Sequence, residues 1–172
     1  MRERREAVPS RPRARAIIEC VGPIIRRATD ADAPAVARLF LRSFKTTYPS
    51  FREVHTDAET AAWIATEVIP KEEAWVAGSA TDGVVGWMVL GPGELEHLYL
   101  APEWVGRGLG DRLMALAKER QPAGLRLYTF QVNARACRFY ERHGFVVVDT
   151  NDGSRNEEGE PDVQYRWEPA SR

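Results

Sequence analysis

Leu98-Tyr99-Leu100-Ala101-Pro102-Glu103-Trp104-Val105-Gly106-Arg107-Gly108-Leu109-Gly110 passes from an apolar strand through a short turn into a helix opened by alternating glycines. Glycine lets a backbone come close to a ligand and adopt conformations closed to other residues. The first amides of a helix lack intrahelical partners and carry partial positive charge, so this turn suits a phosphate. Its G-x-G-x-G spacing is not the G-x-G-x-x-G that opens a dinucleotide-binding βαβ unit. A nucleotide-like cofactor of another kind is the first expectation.

On the C-terminal side, Leu109, Leu113, Met114, Leu116 and Ala117 recur every three or four residues opposite Asp111, Arg112, Lys118 and Glu119, which predicts an amphipathic helix. Gln121-Pro122-Ala123-Gly124 ends it. Leu125 to Gln131 alternates as a strand, and Asn133 is placed to cap a helix that Gly144 stops. Phe145 to Val148 reads as a strand, Val163, Tyr165 and Trp167 as another, with a polar, acidic stretch from Asp149 to Asp162 between them. On the N-terminal side, Leu95 to Leu100 leads into the turn, and Trp75-Val76 and Val84 to Leu90 flank the hairpin signal Thr81-Asp82-Gly83. Earlier still, Ile24 to Thr29 is β-like. Thr29 or Asp30 caps a helix bearing Val36, Leu39, Phe40 and Phe44, and Lys45 to His55 reads as a loop. A second helix from Asp57 to Val68 is expected to stop at Pro70. The order β-α-α-β-β-β-α-β-α-β-β predicts an α/β (α+β) fold around one mixed sheet.

With 172 residues and 44% apolar content the chain can bury one good core, assigned to residues 23–172. Residues 1–22 combine Arg and Pro with few large apolar groups and read as a flexible extension. A net charge of -1 gives no whole-protein attraction to nucleic acid or an anionic membrane. Binding of nucleic acid through the basic extension alone is a lesser reading, one that deletion of residues 1–22 would abolish. No apolar run approaches the ~20 residues of a membrane span, and the N-terminus lacks the apolar centre of a secretory signal, so a cytoplasmic protein is expected. Cys20 and Cys137 are isolated, and His55 and His143 have no ligand-spaced partners, so neither a disulfide framework nor a metal is expected.

Two segments carry a family resemblance. Leu98 to Gly110 resembles the acyl-CoA pyrophosphate motif of the GNAT superfamily of N-acyltransferases. Asn133-Ala134-Arg135-Ala136-Cys137-Arg138-Phe139-Tyr140-Glu141-Arg142-His143-Gly144-Phe145 resembles that family's Asn, Ala, Phe-Tyr, Gly-Phe segment, and stands in the family's order. The similarity runs from about Ile24 to Trp167. It implies a mostly antiparallel sheet of about six or seven strands with about four helices, strands 4 and 5 splayed apart. It further implies acetyl-CoA as cofactor, its pantetheine arm against Leu98, Tyr99 and Leu100 and its pyrophosphate on Val105, Gly106, Arg107, Gly108, Leu109, Gly110 and Asp111. Asn133, Ala136, Phe139 and Tyr140 complete that wall. Val105 departs from the motif, which usually has Gln or Arg there, and Arg107 is the nearest replacement for the missing charge.

The activity implied is transfer of acetyl to a primary amine, in a small molecule or at a protein N-terminus or lysine, by direct attack in a ternary complex. The alternative is an acyl-CoA-binding sensor or interaction module without turnover. Tyr140 stands where many members use a tyrosine to protonate the leaving sulfur, and a phenol of pKa ~10 is protonated at neutral pH. Glu94 and Glu96 are the candidate bases. They lie two apart on one strand and so should share a face, with His97 projecting oppositely into packing. Glu94 falls where some members place a glutamate base, and Glu96 lies nearer the turn. For the acceptor, Phe44, Tyr48 and Phe51 offer an aromatic wall, and Glu157 and Glu158 an acidic rim that suits a cationic amine. Either a monomer or a homodimer is compatible with the sequence.

Overall fold

The computed structural model describes residues 22–170, so the Arg/Pro-rich extension and Cys20 lie outside the described residues. Strand β1 (Ile24–Arg27) leads through one 3-10 turn into helix α1 (Ala33–Thr47). Asp32 organises this start: its carboxylate takes both arms of the Arg26 guanidinium at 2.7 and 2.8 Å and accepts from the Thr29 amide at 2.8 Å. Those bonds hold the Asp32 carboxyl well below the usual carboxylate range. Val36, Ala37 and Leu39 bury the inner stripe of α1. The helix runs past the expected boundary at Lys45, because the Tyr48 amide donates to the Phe44 carbonyl and the two rings, one turn apart, pack at 4.9 Å.

Helix α2 (Asp57–Trp63) opens with a capping box between Thr56 and Glu59. It does not stop at Pro70. A π turn (Ile64–Val68), in which the Ile69 amide reaches back to Ile64, widens the helix ahead of the proline, and a last turn (Ile69–Lys71) closes with the Glu72 amide donating to Val68. Pro70 has no amide to leave unpaired, so the altered register accommodates it.

The sheet is built from β2 (Glu73–Ser79), β3 (Gly83–Gly91), β4 (Glu94–Leu100), β5 (Leu125–Phe130), β6 (Val146–Asn151) and β7 (Asp162–Trp167), with α3 (Leu109–Arg120) and α4 (Ala134–Arg142) as crossovers. Strand β2 is longer than Trp75-Val76 because both neighbours pair along it, and β6 continues to Asn151 because β7 pairs it that far. The seven strands lie in the order β1-β2-β3-β4-β5-β7-β6, antiparallel except for β4 and β5. Those two meet at a single register pair, Glu94 opposite Arg126, and then diverge. Phe40 of α1 packs on Trp87 on one face of the sheet, while Leu109 of α3 approaches Gly86 on the other. Trp87, Met88, Leu113 and Met114 are fully buried between these layers.

One register shift decides which way the side chains of β4 point. Leu90 pairs with Leu95 but Val89 pairs with His97, so Glu96 is an extra residue in β4, a β-bulge. The bulge reverses the expected alternation. His97, opposite Val89, lies on the same face as Glu94, opposite Gly91. His97 nevertheless packs as expected: it stacks on Trp87 at 4.9 Å and meets Trp63 edge-on at 5.5 Å.

Burial of this imidazole lowers its pKa to about 4, so the fold favours the neutral ring. The unfolded chain binds that proton near pH 6.5, so the stabilisation is full above pH 6.5 and is lost as pH falls toward 4. The shift corresponds to about 3 kcal/mol. Urea unfolding at neutral and acid pH should therefore show the parent losing about 2 to 3 kcal/mol more than His97→Phe on acidification. Equal losses would mean that the buried ring does not govern this range.

Candidate active site

Where β4 and β5 part, a cleft of about 470 Å³ opens between them, floored by α4 and bordered by the C-terminal end of α1. One end is the glycine turn. Gly106 and Gly108 have φ of +82° and +79°, a left-handed geometry costly for any residue with a Cβ. Gly110 has a different role: a Cβ there would lie 3.1 Å from the Phe139 ring, so the missing side chain lets α4 close against α3. The first-turn amides of α3 have no intrahelical partners and head this end of the cleft. Val105, Gly110, Ala136 and Phe139 line the cleft, as do Leu98, Tyr99 and Leu100 from β4. Leu109 instead turns into the core.

Two residues of the motif face elsewhere. The Arg107 guanidinium lies over the Trp104 ring at 5.4 Å, outside the cleft. The Asp111 carboxylate pairs with Arg142 at 2.7 Å and His143 at 3.1 Å, joining α3 to the end of α4. Where the cleft meets the turn, the cation is Arg135 of α4, whose Nη2 lies 3.4 Å from where a Gly106 Cβ would stand. Sequence reasoning missed it. A signal was present: an arginine at the second position of a helix faces the positive end of the helix dipole, an unfavourable placement unless an anion is near.

Tyr140 projects from α4 into the middle of the cleft. Its ring is 8% exposed and rests on Phe145 and Tyr165, at 5.9 and 6.0 Å between centroids. Burial raises its pKa, so the phenol stays protonated, and among the described residues its hydroxyl finds no hydrogen-bond partner. Tyr99 lines the cleft from β4. Asn133 Oδ1 accepts from the Ala136 amide at 3.0 Å, capping α4, while Nδ2 donates to the Tyr48 hydroxyl at 2.8 Å. Asn133 lines the cleft and at the same time ties α4 to the end of α1. Of the expected aromatic wall only Tyr48 lines the cleft, where it is joined by Phe130 of β5, a residue the sequence reading did not single out. Phe44 and Phe51 brace Tyr48 from behind, at 4.9 and 4.6 Å.

The two candidate bases are separated by their surroundings. Glu94 is held by Arg126, Nε to Oε2 at 2.8 Å, at the closed base where β4 and β5 meet. Glu96 lines the cleft from the bulge, its carboxylate filling the space a Cβ on Gly91 would need. Partial burial, then the charges of Glu72 and Glu94, raise its pKa. The acidic rim is partly tied down within the fold: Asp149 pairs with Arg155 at 2.9 Å, Glu157 meets the His55 ring at 2.8 Å, and Asp162 accepts from Asn156 at 2.8 Å. Glu158 is half-buried, among the described residues has no ion-pair partner, and puts negative charge near the Tyr99 hydroxyl.

Comparison with known proteins agrees with this geometry. Residues 70–147, which span the hairpin, the glycine turn, the splayed strands and α4, match the acetyltransferase (GNAT) domain. The peptidyl-lysine N-acetyltransferase YiaC of Escherichia coli K12 is 30% identical over 128 residues, covering 73% of this chain and 85% of its own. The chain belongs to the GNAT acetyltransferase family. Among solved structures, apo YjaB from Escherichia coli superposes with a TM-score of 0.69 at 23% identity, covering 84% of this chain and 96% of its own. The PaiA N-acetyltransferase of Thermoplasma acidophilum in complex with coenzyme A superposes at 0.66 and 22%, covering 86% and 99%. The splayed strands, the mixed sheet and the single domain expected from the two motifs are the GNAT fold.

Proposed function

We propose that this GNAT acetyltransferase transfers the acetyl group of acetyl-CoA to the side-chain amine of a lysine in a protein or peptide. The observation that carries the reading is one continuous cleft that runs from a phosphate-suited glycine turn, past the unpartnered hydroxyl of Tyr140, to the carboxylate of Glu96. The identity to a peptidyl-lysine acetyltransferase supports the choice of acceptor. So does the acidic character of the far end, where Glu96 and Glu158 would draw in a cation.

The residues fit the cofactor. Gly106 and Gly108 leave room beside the α3 amides for a pyrophosphate, and β4 beyond Glu94 has no partner strand on its β5 side, so Leu98 and Leu100 can offer backbone to an extended amide chain. Bound acetyl-CoA would supply the thioester carbonyl and a thiolate leaving group. The cleft holds donor and acceptor together, so proximity does much of the catalysis and no covalent enzyme intermediate is needed. A lysine ammonium has pKa ~10.4 and must lose a proton before it can attack. Glu96 accepts that proton, directly or through water, and its raised pKa makes it a better base than an ordinary carboxylate. Glu94, committed to Arg126, does not take this role. Tyr140 gives its hydroxyl proton to the departing sulfur.

Glu96→Gln should lower kcat/KM for a lysine peptide about 10²-fold near neutral pH, and the loss should shrink as pH rises and free amine becomes abundant. Glu94→Gln should change it far less. A pH profile identical to the parent's in Glu96→Gln would remove Glu96 from the chemistry. To test the acceptor, thiol release would be measured with lysine peptides, free α-amines and small diamines, and lysine peptides should give the highest kcat/KM. A clear preference for α-amines would replace lysine by a protein N-terminus.

A further inference from the structure

We propose that Arg135 is the cation that binds the cofactor's pyrophosphate, replacing from α4 the basic or amide side chain that Val105 lacks; the inference rests on the reading that acetyl-CoA occupies this cleft. Three observations converge on it. Arg135 Nη2 hangs 3.4 Å from the place of a Gly106 Cβ, beside the left-handed glycines and the open amides of α3. Among the described residues no acid pairs with Arg135, whereas the neighbouring Arg142 is committed to Asp111 and Arg107 to the face of Trp104. Arg135 is also the second residue of α4, where the helix dipole repels a cation. An unpaired guanidinium held in an unfavourable field and aimed at a built anion cradle is explained by an anion arriving there. Its planar fork of donors matches two phosphate oxygens at once, which the valine at position 105 cannot do.

The turn therefore holds its anion from two elements. Backbone amides of α3 contribute from one side and a side chain of α4 from the other.

The test is calorimetric binding to the parent and variants, with coenzyme A and pantetheine as probes. Arg135→Gln should weaken coenzyme A about 10- to 100-fold, leave pantetheine unchanged, and flatten the dependence of Kd on salt. Without ligand the variant should melt no lower than the parent, since a charge opposed to the helix dipole has been removed. Arg135→Lys should recover part of the affinity and Val105→Arg in the Arg135→Gln background most of it, because either restores a cation at the turn. Coenzyme A affinity of Arg135→Gln within about twofold of the parent's would overturn the proposal, as would equal weakening of both probes, which would mean a change in the shape of α4. Failure of the parent to bind coenzyme A would overturn the cleft reading and this proposal with it.

Discussion

Tyr140→Phe lowers kcat about 10²-fold and leaves the Kd for acetyl-CoA and the melting temperature almost unchanged: this is the expected result at the centre of the site. The expectation comes from what the hydroxyl lacks. In the fold it bonds to none of the described residues, so its removal leaves no buried partner unsatisfied. The ring, packed on Phe145 and Tyr165, is retained in phenylalanine. Only a role in the reaction remains to be lost. A phenol whose pKa is raised by burial is protonated across the working range, so its O–H is present as a donor to the sulfur as negative charge develops there. Measuring kcat with saturating amine and single-turnover rates together separates chemistry from product release. A single-turnover rate equal to the parent's would make Tyr140 a packing residue.

Gly108→Glu abolishes cofactor binding, an effect of at least about 10² in Kd. A Cβ on Gly108 would meet nothing within 4 Å, so the side chain enters open space at the head of α3 rather than a packed wall. What the substitution adds is a carboxylate where a pyrophosphate should lie, and left-handed strain of about 1 to 2 kcal/mol in the free protein. Gly108→Ala carries the strain without the charge. At acetyl-CoA concentrations about a hundredfold above Kd the parent gains about 2.7 kcal/mol, roughly 5 to 10 °C in Tm. Gly108→Ala should keep most of that shift and Gly108→Glu none of it. Equal shifts for parent and Gly108→Glu would place the phosphate elsewhere.

Much of the fold is legible in the sequence because it is written in local signals. The period of Leu109 to Ala117 makes a helix wherever it lies, Asn133 caps α4 with the side chain it was expected to use, and the glycine turn adopts the geometry that only glycine favours. What escapes reading depends on partners far away in sequence. The bulge at Glu96 exists only in register against β3, and it decides which carboxylate enters the cleft and which face His97 takes. The continuation of α2 through Pro70 depends on a π turn that no residue type announces. Arg107 and Arg135 are equally basic on paper. Packing of one on Trp104 and the approach of α4, allowed by Gly110 against Phe139, send only the second to the turn. The acidic rim reads as free charge along the chain, but Arg155, His55 and Asn156 are brought onto it by the fold around the β6–β7 connection, and Glu158 is left without an ion-pair partner among the described residues.

The most direct measurement of the central claim counts thiol released from acetyl-CoA against acetyl groups gained, by mass spectrometry, on a peptide with a blocked N-terminus and one lysine. A direct transfer in the cleft predicts one acetyl on the lysine side chain for each thiol, no release in the absence of the peptide, and loss of both products together in Tyr140→Phe and Glu96→Gln. Stabilisation of the protein by acetyl-CoA with no thiol release on any amine would contradict it, and would make the chain a sensor of the cofactor rather than an enzyme that uses it.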